Sequence, residues 1–280
     1  MSETNSMRPL FDVFQSFMRH PWVSFRLLQE LPAAVRGHVR AQEWNGSRTM
    51  TGTPSPVPPD NPLRAYFDAH ETGRGIWKWE HYFDIYHRHF SKFIGREVHV
   101  LEIGIYSGGS LRMWRDYFGP QCRVYGVDIQ EACRTYEDEH TRIFIGDQAD
   151  RQFWARVRTE VPRLDILIDD GGHLPEQQIV TLEEMLPHLR PGGVFLCEDV
   201  HGFFNGFSAY AQGLADNLHA YATPPDQAGD RRKLVSNSTR FQRAIRSIHT
   251  YPFATVIERA DEPVKQFVCP KHGTEWQPFL

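Results

Sequence analysis

Cysteine is scarce and scattered: the four residues, Cys122, Cys133, Cys197 and Cys269, form no CxxC pair. That leaves no basis for a disulfide framework or a thiolate zinc site, and it points to a reducing cytoplasm. No apolar run approaches the roughly 18 residues that a membrane span needs. The opening MSETNSMRPLFDVF has no basic stretch ahead of an apolar core, so it does not read as a signal peptide. There is no excess of positive charge either. A formal net charge of −4 gives neither nucleic acid nor an anionic membrane an electrostatic hold. No internal repeat is visible. With 40% hydrophobic and 24% charged residues the composition is that of an ordinary globular protein, and 280 residues suit one α/β domain with extensions.

Residues 8–44 place Leu10, Phe14, Phe17, Phe25, Leu28, Leu31, Val35 and Val39 at helical spacing, and Pro21 and Pro32 are expected to divide them into two or three short helices. The Pro-, Thr- and Ser-rich segment 45–62 reads as a linker or extended surface segment. The expected organisation is therefore an N-terminal helical extension with its linker, 1–62, and a main domain, 63–280. A helical stretch begins at 63, and the run Trp79, Tyr82, Phe83, Tyr86, Phe90, Phe93 forms an apolar stripe on it.

Strands and helices then alternate. Strands are expected at 98–106, 122–129, 141–147, 164–170 and 194–200, the last entered through the Pro-Gly-Gly turn at 191–193. Helices are expected at 110–118, 151–161, from Pro175 to Leu189, around 207–221 and around 239–248. Recurring strands with helical crossovers make a mainly parallel, doubly wound sheet covered on both faces. Residues 253–259 and 264–272 read as a terminal antiparallel pair.

The most informative segment is VLEIGIYSGGS. A buried strand ends in Glu102-Ile103-Gly104, and Tyr106-Ser107-Gly108-Gly109-Ser110 opens a helix. Glycines allow a sharp turn and close approach of a ligand to backbone, and a helix start offers free N–H groups. The full GxGxxG of a dinucleotide site is absent, and Glu102 would repel a pyrophosphate while suiting a cationic amino-acid group. Asp128 closes the second strand, where a carboxylate can accept both ribose hydroxyls. Asp147 closes the third, placed to accept from an adenine amino group. The ordered set suits an adenosine joined to an amino acid, and an oxidoreductase is the weaker reading.

At these residues the sequence resembles the class I S-adenosylmethionine-dependent methyltransferases, over about residues 96–272. The resemblance implies a Rossmann-like, seven-stranded, mainly parallel sheet with an antiparallel last strand. It also implies that the cofactor's amino-acid end lies over 102–110 (Glu102, Gly104, Tyr106, Ser107, Ser110), the ribose at Asp128 and the adenine near Asp147.

Two further strand ends, IDDGGH (168–173) and CEDVH (197–201), bring Asp169, Asp170, His173, Glu198, Asp199 and His201 to the same rim. So many carboxylates repel one another unless a cation joins them, and hard oxygen donors suit Mg²⁺, with Mn²⁺ or Ca²⁺ as substitutes. These segments resemble the metal-dependent macrolide-sugar O-methyltransferases of the mycinamicin type and the related cephalosporin hydroxylase-type proteins. Asp170 and His173 match the family's aspartate and the histidine three residues on. Glu198 and Asp199 match its Glu-Asp pair, 28 and 29 residues after Asp170. The resemblance implies Mg²⁺ on Asp170, Glu198 and Asp199, with His173 as general base. Asp169 has no ligand role in that pattern and is assigned to the cofactor side.

The function expected is S-adenosylmethionine- and Mg²⁺-dependent O-methylation of a hydroxyl, on a sugar or vicinal diol of a natural product. The protein is expected to be a cytoplasmic homo-oligomer taking a small-molecule acceptor, with no nucleic-acid or membrane partner. An aromatic catechol acceptor, or a non-catalytic cofactor-binding partner protein, are the alternatives; an intact His173 and acid set favour catalysis. His201 has two readings, substrate contact or cap of the following helix. Phe203, Phe204 and Phe207 read as core packing ahead of an acceptor pocket. His81, His87 and His89 fall on different helix faces, which argues against a metal cluster there, and HGTEW (272–276) reads equally as packing or ligand contact.

Overall fold

A computed structural model describes residues 8–45, 61–226 and 233–275, so most of the expected linker (46–60) and Trp276 of the HGTEW segment lie outside the described residues. The chain divides into two compact units, 1–58 and 59–280. The first holds α1 (Arg8–Arg19) and α2 (Pro21–Asn45). Pro21 starts α2, as a proline at a first helical position can, but Pro32 lies inside it without ending it. None of residues 11–45 is buried.

In the second unit, β1 (Val98–Ile103) is buried along its whole length, as the unbroken VHVLEI run requires of a strand covered on both faces. It is the third strand of the seven-stranded order β3-β2-β1-β4-β5-β8-β7, with β2 (Cys122–Asp128), β3 (Thr141–Ile145), β4 (Leu164–Asp169) and β5 (Leu189–Cys197) all parallel to it. β8 (Ala254–Arg259) pairs antiparallel with β5, and the edge strand β7 (Ile245–Tyr251) pairs antiparallel with β8, so β8 alone runs against the other six. The chain winds from β1 outward through β2 and β3, then returns to β1's other side for β4. The gap between β1 and β4 is thus the switch point where such sheets bind ligands.

One face of the sheet packs on α4 (Tyr82–Phe90) and α5 (Gly109–Phe118) through Tyr86, Phe90, Trp114 and Phe118. The other packs on α6 (Arg151–Glu160), α7 (Pro175–Met185) and α8 (Gly206–Asp216) through Trp154, Val180, Met185 and Phe207. α3 (Pro62–Asp68) is capped by the Asn61 side chain. No helix among the described residues is long and apolar enough to cross a membrane.

Three expectations are corrected. The helix expected around 239–248 is only α9 (Arg240–Ala244). Its capping box between Thr239 and Gln242 is formed, but Ile245, Ile248, Thr250 and Tyr251 suit a sheet edge and take up pairing with β8. The terminal antiparallel pair is therefore β7–β8. The 264–272 segment instead supplies β9 (Gln266–Pro270), which pairs with β6 (Lys233–Asn237) in a separate two-stranded sheet. Finally, residues 69–81 are not helical: Trp79 leaves the expected stripe, and only the part from Tyr82 onward is α4.

Candidate active site

A cavity of about 680 Å³ opens at the carboxyl ends of β1, β2, β4 and β5. Gly104, Tyr106, Ser107, Ser110, Asp128, Asp147, Asp170, His173, Glu198, Asp199 and His201 all line it, so the two groups of residues expected from sequence share one chamber. Glu102 and Asp169 do not line it; both are buried beneath its wall.

The turn after β1 is possible only with glycine. Gly104 has φ +78°, and a Cβ there would lie 1.9 Å from the Asp170 carbonyl oxygen. The loop after β1 thus touches the loop after β4. Asp128 is fixed in place by accepting from the backbone N–H of Tyr106 at 3.2 Å and of Gln130 at 2.9 Å. A carboxylate has lone pairs left after two such bonds, and Asp128 lines the cavity. Asp147 is exposed and accepts from the Ala149 N–H. Ile129, between these acids, leaves an apolar side chain exposed on the wall. Carboxylates that can accept from hydroxyl and amino groups, beside an apolar surface, fit a nucleoside.

The acid rim is built around a lysine. The Lys78 ammonium lies 2.7 Å from Asp170 Oδ2, 3.1 Å from Glu198 Oε1 and 3.2 Å from Glu102 Oε1, and its side chain is 3% exposed. Burial opposes its charge, but Asp170, Glu198 and Glu102 outweigh that and raise its pKa well above that of ordinary lysine. Glu102 Oε2 also accepts from Ser110 Oγ at 2.7 Å, and Glu198 Oε1 accepts from Tyr86 OH at 2.7 Å. One ammonium does not balance this cluster. Burial, then Asp170, pushes Glu198 well above the usual carboxylate range, against Lys78 and Tyr86. Burial likewise raises Glu102. Asp169, accepting from Gln148 Nε2 at 3.0 Å, is pushed up to about 6, chiefly by burial.

Asp199 and His173 face each other across the rim, His173 Nε2 lying 3.7 Å from Asp199 Oδ2. Asp199 Oδ1 accepts from Trp79 Nε1 at 3.1 Å and Tyr82 OH at 2.9 Å. One ligand atom each from Asp170, His173 and Asp199 lies within 4.8 Å of the others, a spacing that suits a metal ion. The backbone is strained here. Tyr106, His173 and Asp199 have φ of +42°, +56° and +52°, in a region that non-glycine residues rarely adopt, and all three line the cavity. His173 does not cap α7, whose N-cap is Leu174. His201 does not cap α8 either; Asn205 does, and His201 lines the cavity 3.5 Å from Asp199 Oδ1.

Residues 101–200 match the family model described as a methyltransferase domain. The chain carries a methyltransferase domain of Rossmann-like fold. It is 30% identical over 215 residues to the mycinamicin VI 2''-O-methyltransferase of Micromonospora griseorubida, covering 67% of this chain and 52% of that one. It is 36% identical over 167 residues to the 8-demethyl-8-(2-methoxy-alpha-L-rhamnosyl)-tetracenomycin-C 3'-O-methyltransferase of Streptomyces olivaceus, covering 52% and 42%. The structure of the MycE methyltransferase of the mycinamycin biosynthetic pathway, in complex with Mg and SAH, superposes with a TM-score of 0.57 at 28% identity, covering 72% of this chain and 55% of that one. The chain spans about half the length of the curated relatives it matches.

Several groups at this cavity carry no site signal in the sequence: Lys78 and Gln148 follow no pattern, and Trp79, Tyr82 and Tyr86 read there as an apolar stripe. Tyr82 and Tyr86 were seen only as core; their hydroxyls reach Asp199 and Glu198. Of the three phenylalanines after β5, Phe207 is fully buried, as core packing requires, whereas Phe203 and Phe204 are exposed and lie off the cavity. His272 and Glu275 are exposed and do not line it. Among the described residues, His81, His87 and His89 form no group with metal-like spacing among themselves. His89, however, meets His249 of β7 and Glu258 of β8 in a second group with metal-like spacing. Its ring nitrogens are engaged by Glu258 Oε1 at 2.7 Å and Tyr251 OH at 2.9 Å, a satisfied hydrogen-bonded tie.

Proposed function

We propose that this protein is an S-adenosylmethionine- and Mg²⁺-dependent O-methyltransferase that acts on a sugar or vicinal-diol hydroxyl of a small-molecule natural product. The observation that carries the reading is the shared chamber: the nucleoside-type wall of Gly104, Asp128 and Asp147 and the acid–histidine rim of Asp170, His173 and Asp199 face one cavity. The named activities of the relatives, sugar O-methyltransferases of macrolide and tetracenomycin compounds, support the same chemistry. So do the Mg and SAH held by MycE.

On this reading Glu102, Gly104, Tyr106, Ser107, Ser110, Asp128, Asp147 and Asp169 form or support the cofactor cradle. Asp170, Glu198 and Asp199 are the acids for the metal. The cofactor supplies a sulfonium-activated methyl group, and a divalent ion supplies a Lewis acid that makes a nearby alcohol more acidic. What this chain must add is alignment and removal of one proton. His173 stands on the cavity wall with Nε2 turned toward Asp199, placed to take a proton from an acceptor hydroxyl held at the rim. Asp199 in turn is held by Trp79 and Tyr82, which keeps its second oxygen on the histidine side. Aromatic faces at Trp77 and Trp79 give a sugar ring a surface to lie on.

The proposal extends to a cytoplasmic homo-oligomer. The described cysteines are all free thiols, which accords with a reducing compartment. The test is methyl transfer from labelled cofactor to a panel of glycosylated metabolites, with Mg²⁺ and with EDTA. Transfer that needs Mg²⁺ while SAH binding survives EDTA is expected. Full turnover in EDTA, or tight binding of NAD with none of SAH, would refute it.

A further inference from the structure

His173 follows a pair of glycines, in a backbone conformation that non-glycine residues rarely adopt. Its ring comes no nearer than 3.7 Å to Asp199 Oδ2, beyond hydrogen-bond reach, so the backbone leading into it must set its place. Strain of this kind persists only where the surroundings over-determine it. We propose that Gln148 is the positioning residue for the base: its buried amide ties the loop that carries His173 to the nucleoside wall, so that cofactor and proton acceptor are held by one rigid unit. The inference rests on the methyltransferase reading above, with His173 as its base.

Gln148 directly follows Asp147, and both line the cavity. Its carbonyl accepts from Trp154 Nε1 at 2.8 Å, which fixes this stretch against α6. The residue is 5% exposed, and its side chain reaches the end of β4. There Oε1 accepts from the Gly172 N–H at 2.7 Å, while Nε2 donates to Asp169 Oδ1 at 3.0 Å and to Thr181 Oγ1 at 3.3 Å. Asp169 Oδ1 accepts from the Gly171 N–H as well, at 3.3 Å. Chemistry fixes the orientation of the amide, because a backbone N–H can meet only its oxygen and a carboxylate only its nitrogen. One side chain from the cofactor wall thus holds the end of β4, the glycine loop and α7 together.

The two glycines leave the room that this tie needs. A Cβ at Gly171 would lie 1.9 Å from Gln148 Oε1, and one at Gly172 would lie 2.1 Å from Oε1 of Gln177, in the first turn of α7. Two glutamine amides therefore fill the volume that side chains at 171 and 172 would take, and the next residue is His173. A misplacement of about 1 Å at a reacting group can cost about 10²-fold in rate. Loss of the tie therefore registers in kcat, while the cofactor's own contacts remain.

The experiment compares the wild type with Gln148→Met, which keeps the volume and removes the polar ties, with His173→Asn, and with the double variant. Methyl transfer to the acceptor that the panel of glycosylated metabolites yields is measured for each, together with SAH calorimetry. Exchange of the Gly172 N–H is followed by NMR. Gln148→Met should lower kcat by about 10–100-fold, leave SAH affinity nearly unchanged and speed exchange at Gly172. In the His173→Asn background the same change should cost no further kcat, since residues that act as a unit do not add. An equal fold-loss in both backgrounds would mark a general structural role and overturn the proposal. Unchanged kcat, or a loss of SAH affinity as large as the loss of kcat, would overturn it too. If Gln148→Met does not fold, Gly171→Ala decides, because its methyl group displaces the same amide: the kcat loss should recur, and full kcat would overturn the proposal. A wild type that binds SAH but methylates no acceptor would remove the reading of His173 as a base; slow exchange at Gly172 would then leave Gln148 a structural tie alone.

Discussion

At the scale of single residues, His173 carries the clearest prediction. Its φ of +56° suits glycine or asparagine better than histidine, and it caps nothing. His173→Gly and His173→Asn should therefore lower kcat by about 10²–10⁴, the usual cost of a lost general base, while the melting temperature holds or rises. Unchanged turnover in both variants would take His173 out of the mechanism. Asp128→Ala should weaken SAH by about 1–3 kcal/mol, the value of charge-assisted hydrogen bonds, measured by calorimetry. The carboxylates and His173 are legible in the sequence because each lies at or just after the end of a strand, and strand ends share a rim. Lys78 is not. It lies in an irregular loop with no period to mark it, and its partners Asp170 and Glu198 are 92 and 120 residues away.

At the scale of elements, α4 works as an aromatic strut. Its first turns deliver Tyr82 and Tyr86 to Asp199 and Glu198, and its last turn ties to the sheet through His89 and Glu258. The hydrogen bond from His89 holds the Glu258 carboxyl below the usual range. A depressed carboxylate contributes stability above its unfolded pKa of about 4.3 and loses it as pH falls through the lower folded value. Glu258→Gln should thus melt about 2–4 °C lower at pH 7, roughly what 1 kcal/mol amounts to in a domain of this size, and the gap should close below about pH 4. A gap independent of pH would show that the tie does not depend on charge. The elements most legible in sequence were the buried parallel strands, whose continuous apolar runs have one interpretation. β7 was hidden because a real capping box precedes it, and local helix chemistry gave way after one turn to pairing at the sheet edge.

At the scale of the whole molecule, the order of the sheet explains why the cavity lies where it does. β1 and β4 are neighbours in space though residues 104–163 separate them, and the Gly104 turn rests on the Asp170 carbonyl across that junction. Gly104→Ala should disturb both halves at once, weakening SAH and Mn²⁺ together. Loss of SAH binding alone would mean the two loops move independently. The same topology imposes a sequence in time on a chain synthesised from its N-terminus, where earlier segments fold first. The strands of the nucleoside wall are complete once residue 147 has emerged, whereas the rim waits for Asp199. Before residue 170 has emerged, Glu102 is the one of the three acid partners of Lys78 already in the chain. A nascent chain at that stage holds the frame for a cofactor but none of the machinery to transfer its methyl group, so the reactive end of the site is assembled last.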